Sequence, residues 1–207
     1  MMMYELKMSP EGENNNIYIV LTRSTTALSR IVTFLTGAEF THSAISLDKE
    51  LSHMFSFGRR YTNNPFIGCF HREDISEGAY AKAPDVPGLI IELPVSASQY
   101  KKVYDTIREF LMNGHRYDFN YLGLFKQVVG RPHYSEGRFY CSEFVYHTLS
   151  EAGIIDLSIP RGRVRPQDFM WLGKEIYKGD LRAFLKKSKA KTKSNVVPYI
   201  RRFEVNV

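Results

Sequence analysis

The stretch Phe139-Tyr140-Cys141-Ser142-Glu143-Phe144-Val145-Tyr146-His147-Thr148-Leu149 decides how this chain is read. Phe144, Val145, Leu149 and Ala152 recur at helical spacing, and Gly153 follows where a helix C-terminus favours glycine. The expected helix therefore starts at Cys141. A thiol there meets unpaired backbone N–H groups and the positive end of the helix dipole, which favour thiolate over thiol and pull a free-cysteine pKa of about 8.5 toward neutrality. The same amides can stabilise an oxyanion formed when the thiolate attacks a carbonyl. Cys141 also shares a face with Phe144, Val145 and Leu149, so an ordinary buried thiol is the competing reading.

A thiolate nucleophile needs a base, and the chain has six histidines: His42, His53, His71, His115, His133 and His147. His147 is six residues past Cys141, about 240° of helical rotation away, and points elsewhere. His71, His115 and His133 fall in expected loops. His42 stands at the start of the apolar run Thr41-His42-Ser43-Ala44-Ile45-Ser46-Leu47, an expected strand with His42, Ala44 and Ser46 on one face. Strand placement holds an imidazole rigidly, although a structural histidine making one hydrogen bond is the commoner explanation for a lone strand histidine.

Working outward, Ile17 to Leu21 reads as a first strand, and Leu28, Ile31, Val32 and Leu35 after Ser24 as a short helix ending near Gly37. His53 to Phe57 would return beside the His42 strand as a hairpin. Residues 59–87, with Pro65, Gly68, Gly78, Pro84 and Pro87, show no sustained period and read as a long irregular excursion. Gly88 to Val95 is a strand. Ser96-x-x-Gln99 then forms a capping-box pattern opening a helix with Tyr100, Val103, Tyr104, Ile107, Phe110 and Leu111 on one stripe, ending at Asn113-Gly114.

Together these pieces resemble a known family. Tyr140-Cys141-Ser142-Glu143 is similar to the Y-C-S-E signature of YiiX/YebB-like proteins, the circularly permuted branch of the NlpC-type papain-like hydrolases. Thr41-His42-Ser43-Ala44-Ile45 resembles that family's histidine strand, and Gly114-His115-Arg116-Tyr117-Asp118 its G-x-x-Y-D element. Pro166-Gln167-Asp168-Phe169 is similar to a recurring proline-containing element, so the likeness runs from about Ile17 to Phe169. The resemblance implies an α+β, circularly permuted papain-like fold, a small antiparallel sheet with packed helices. It implies Cys141 as nucleophile and His42 as base, with Tyr117 lining the site and Ser142 following the nucleophile, bound to substrate or capping the helix. The residue that orients the imidazole, often a carboxylate in the family, falls on Ser56, with Asp118 as a substitute. A serine orients imidazole without stabilising imidazolium as a carboxylate does.

The 207 residues suit one domain, expected over 17–180 between a disordered lead-in at 1–16 and a basic tail at 181–207. The net charge of +6 is concentrated late: residues 161–204 hold 13 Lys/Arg against 4 Asp/Glu. Cys69 and Cys141 lie 72 residues apart, without zinc-ligand spacing, and are expected to be reduced. No apolar run marks a signal peptide or span near Met1 to Asn16, so a cytoplasmic location is the default expectation and stable membrane insertion is not expected. H-E-x-x-H, G-x-G-x-x-G and Walker loops are lacking, so no metal or other cofactor is expected. The expected activity is that of a cysteine peptidase or amidase acting on a peptide or isopeptide-like amide. The alternatives are an acyltransferase or lipid hydrolase of the same fold acting on an acyl substrate, and an inactive ligand-binding domain. The Lys-rich run at 186–193 could make weak contact with an anionic surface or nucleic acid.

Overall fold

The computed structural model describes residues 15–23, 33, 37–59, 68–81, 83–131 and 133–195. The chain is mixed α+β: a six-stranded antiparallel sheet carries four helices of eight or more residues among the described residues. The strands are β1 (Asn15–Thr22), β2 (His42–Ser46), β3 (Met54–Arg59), β4 (Gly68–Glu73), β5 (Pro87–Val95) and β8 (Lys174–Asp180), in the order β4-β3-β2-β1-β5-β8. Two-residue strands β6 (Asp118–Phe119) and β7 (Arg138–Phe139) pair in parallel apart from it.

Alternation along the strands builds two cores. Ile17, Ile19, Leu21, Ile45, Phe55, Phe57, Leu89, Ile91 and Leu93 face helix α1 (Ala97–Met112) and helix α3 (Cys141–Glu151), which bury Tyr100, Val103, Ile107, Phe110, Phe144, Val145 and Leu149 against them. Tyr18, Val20, Ala44, Met54 and Ile90 face the other way, against Ile75, Val86 and Leu181. Covering both faces explains why β1 and β5 read as nearly unbroken apolar runs. α1 starts as expected: Gln99 N–H donates to Ser96 Oγ at 3.2 Å, and Ser96 N–H to Gln99 Oε1 at 3.0 Å. α3 ends as expected too, with Gly153 at φ +67° and Ile154 N–H donating to the Leu149 carbonyl.

Two sequence expectations change. Residues 59–87 are not an irregular excursion throughout, because they include β4 and a helical turn at Gly78–Ala81. Phe70 is the only aromatic β4 contributes, stacking on Phe55 at 5.9 Å, while Cys69, His71 and Glu73 occupy the alternate positions, so no apolar period announces the strand. Nor does the packed unit end at residue 180. Helix α4 (Leu181–Asn195) begins with fully buried Leu181 and packs Phe184 and Leu185 on the second core, an i, i+3, i+4 stripe set among lysines. Arg182 ties this helix to the Tyr80 and Ala83 carbonyls.

The expected helix after Ser24 lies outside the described residues except for Thr33, as do 1–14 and 196–207. Among the described residues no helix is long and apolar enough to cross a membrane. Cys69 and Cys141 are unbridged.

Candidate active site

Cys141 is the first residue of α3, preceded by Tyr140 in an extended conformation at φ −109°, ψ 175°. Glu143 reaches back to accept the Tyr140 N–H at 3.1 Å, which fixes the turn carrying the thiol. Its carboxylate is fully buried and also accepts from Asn120 Nδ2 at 3.1 and 3.3 Å. Burial pushes this carboxyl up to about 7 despite those donors. Asn120 Oδ1 in turn accepts the Gly123 N–H at 2.9 Å and caps helix α2 (Tyr121–Val128), where any Cβ at position 123 would collide with the Asn120 side chain. One buried polar chain thus couples the starts of α2 and α3.

His42, the first residue of β2, stands beside the Cys141 side chain, and the two groups shift each other's proton affinity. Its Nε2–H donates to Glu73 Oε1 at 2.8 Å, leaving Nδ1 as the ring nitrogen for the sulfur. Only 15% of the His42 side chain and 5% of that of Glu73 are exposed, so this pair is strongly coupled. Burial opposes charge on all three groups, and the pairing outweighs it. Glu73 and Cys141 hold the His42 imidazole well above its ordinary 6.5. His42 pulls the Glu73 carboxyl down from 4.5 and, with Ser43, the Cys141 thiol down from 9.0. These opposed shifts favour a thiolate beside an imidazolium backed by a carboxylate, the charge pattern of an activated thiol nucleophile.

Glu73 is held in turn. Tyr80 donates its hydroxyl to Glu73 Oε2 at 3.0 Å and lies 3.4 Å from Thr22 Oγ1, while His71 Nε2 stands 3.7 Å from Glu73 Oε1. Glu73 belongs to β4, two strands from His42, and Gly58 of the intervening β3 opens the route. A Cβ there would stand 3.1 Å from His71 Cε1, 3.3 Å from Glu73 Oε1 and 3.6 Å from His42 Cε1.

The structure brings Cys141 and His42 together and gives the other expected site residues different partners. Ser56 is not the orienting group: its buried hydroxyl donates to the Ser43 carbonyl at 2.7 Å, and Glu73 takes the imidazole. Asp118, the substitute, sits exposed in β6. Tyr117 turns toward α1, donating to Glu109 Oε1 at 2.6 Å with its ring 4.4 Å from that of Phe110, which makes it a packing residue. Ser142 is fully buried and donates to the Val164 carbonyl at 2.6 Å, so it binds the following loop rather than substrate and is not the cap. His147 lies against the Phe110 and Phe139 rings, away from the thiol as expected.

Glu73 and Tyr80 were missed because both fall in the segment read as irregular. The one signal was His71-Arg72-Glu73, two ionisable residues at strand spacing beside a phenylalanine. Among the described residues no three His, Cys, Asp or Glu side chains converge in a way that could hold a metal ion. No protein-family model, no curated protein and no solved structure matches the chain.

Proposed function

We propose that this protein is a cysteine hydrolase of amide or thioester bonds, with Cys141 as nucleophile, His42 as acid and base, and Glu73 as the group that orients and charges His42. The Cys141–His42–Glu73 alignment, with its opposed shifts in proton affinity, carries the reading. On this reading the mixed sheet-and-helix fold is a permuted papain-like one of the YiiX/YebB-like kind, supported by the histidine strand preceding the cysteine helix in the chain. Peptide or isopeptide-like amides are the leading substrates.

The Cys141 sulfur attacks the carbonyl carbon, and the C=O electron pair moves onto oxygen, where the free N–H groups of the first turn of α3 stabilise it. Collapse breaks the bond to the leaving amine or thiolate, which takes the proton from His42 Nδ1. The resulting Cys141 thioester is then attacked by water, with Nδ1 accepting the water proton. Release of the carboxylic acid restores thiolate and imidazolium.

The test is rapid-quench mass spectrometry with a peptide thioester. Acyl transfer to Cys141, lost in C141A and slowed at least a hundredfold in H42A, is expected. A Cys141 that alkylates no faster than a model thiol at pH 6–7, with H42A leaving the rate unchanged, refutes the proposal.

A second reading, acyl-ester or lipid hydrolysis by the same residues, draws on α2. Leu122 and Phe125 of this helix and Val129 at its C-cap are 51%, 67% and 51% exposed along one stripe, and the helix starts at the Asn120 that binds Glu143. Rates that climb with acyl length across a p-nitrophenyl ester series, and fall when Phe125 is replaced by Asp, favour it.

A further inference from the structure

Ser43 follows His42 on β2 and is fully buried. Its carbonyl accepts the Ser56 hydroxyl at 2.7 Å. Ser43 draws the Cys141 thiol's proton affinity down through both its backbone N–H and its side chain, which places it beside the sulfur, and its buried hydroxyl has no hydrogen-bond partner. Buried hydroxyls are rarely left so, and an alanine would fill this space beneath α3 without stranding a donor. A thiolate is a far stronger acceptor than a thiol, so the stranded donor finds its partner when the sulfur is ionised. Successive strand residues point to opposite faces, and His42 and Ser43 therefore approach the sulfur from two sides at the end of β2.

We propose that Ser43 is a thiolate-holding residue: its hydroxyl and backbone N–H donate to Cys141 Sγ, fix the sulfur for attack and favour its ionised form. The Ser56 hydroxyl is then a positioning group, because it anchors the Ser43 peptide from behind. This rests on the cysteine-nucleophile reading. The charged and titratable groups around the sulfur are His42 from β2, backed by Glu73 and His71 of β4 and by Tyr80, and Tyr140 at the start of α3, and none of them is altered by changing Ser43.

The experiment follows the pH dependence of iodoacetamide alkylation at Cys141, with peptide mapping to separate Cys69 and circular dichroism to check the fold. Loss of one hydrogen bond to a charged acceptor raises the S43A midpoint by about one unit, and S43T, which keeps a hydroxyl, restores most of that shift. Should S43A fail to fold, the isosteric pair S43T and S43V makes the same comparison, hydroxyl present against hydroxyl absent. A lowered wild-type midpoint that S43A, or S43V against S43T, leaves in place overturns the Ser43 assignment while the nucleophile reading stands. A wild-type midpoint equal to that of a model thiol overturns the nucleophile reading itself.

Discussion

Replacing Glu73 with Gln removes one charge and almost no volume from the centre of the site. The Gln carbonyl can still accept the His42 Nε2–H that Glu73 takes at 2.8 Å, so ring orientation survives while the counter-charge disappears. Stripping one partner from a buried ion pair costs about 3–5 kcal/mol when the other stays charged. His42 can shed its proton instead, so the loss emerges as a fall in its proton affinity. The imidazole then holds its proton less readily, the sulfur loses its cation, and Cys141 alkylation at pH 6.5 slows roughly tenfold to a hundredfold. The assay is second-order alkylation of Cys141 between pH 4 and 10, resolved from Cys69 by peptide mapping. In the wild type the rate stays near its plateau well below the pH at which an ordinary thiol fails, and in E73Q the midpoint climbs toward about 8.5. An E73Q profile superimposable on the wild type refutes the argument, because Glu73 would then not be charging His42.

Gly58→Ala sets a methyl 3.1–3.6 Å from His71, Glu73 and His42, so Cys141 alkylation at pH 6.5 falls several-fold while the circular dichroism spectrum is retained; an unchanged rate means the gap at Gly58 is incidental. Tyr117→Phe loses only the hydroxyl bond to Glu109 and leaves the Cys141 alkylation profile within about twofold of wild type, since a packing role is distant from the thiol; a large loss returns Tyr117 to the site. Glu143 has a folded-state pKa of about 7 against an ordinary 4.5, so between those pH values the folded chain binds more protons than the unfolded one and stability falls as pH rises. Its share is about 3 kcal/mol, fully present below pH 4.5 and gone above 7. Urea titrations of wild type and E143Q should therefore draw closer or cross over that window, and a constant difference between them contradicts the assignment.

The helix at Cys141, the histidine strand and the capped helix after Ser96 were all legible in the chain, because each is written in local periodicity and punctuation: apolar spacing, Gly153, and Ser96 with Gln99. β4 and α4 were not. β4 carries Cys69, His71 and Glu73 on one face and a single phenylalanine beside Arg72 on the other, and α4 hides one buried and two partly buried apolar residues in a lysine run. Local pattern is weakest where a strand serves a polar site or a helix is mostly solvated.

The sequence by itself determined that a thiol begins a helix and that an imidazole begins a strand, since both follow from backbone preferences within a few residues. Which group charges that imidazole was decided only in three dimensions. Glu73 reaches His42 from two strands away because Gly58 offers no side chain between them, and Ser56, the nearer candidate, is drawn to the Ser43 carbonyl. Hydrogen-bond partners are chosen by proximity across the folded sheet, and adjacency along the chain does not encode it.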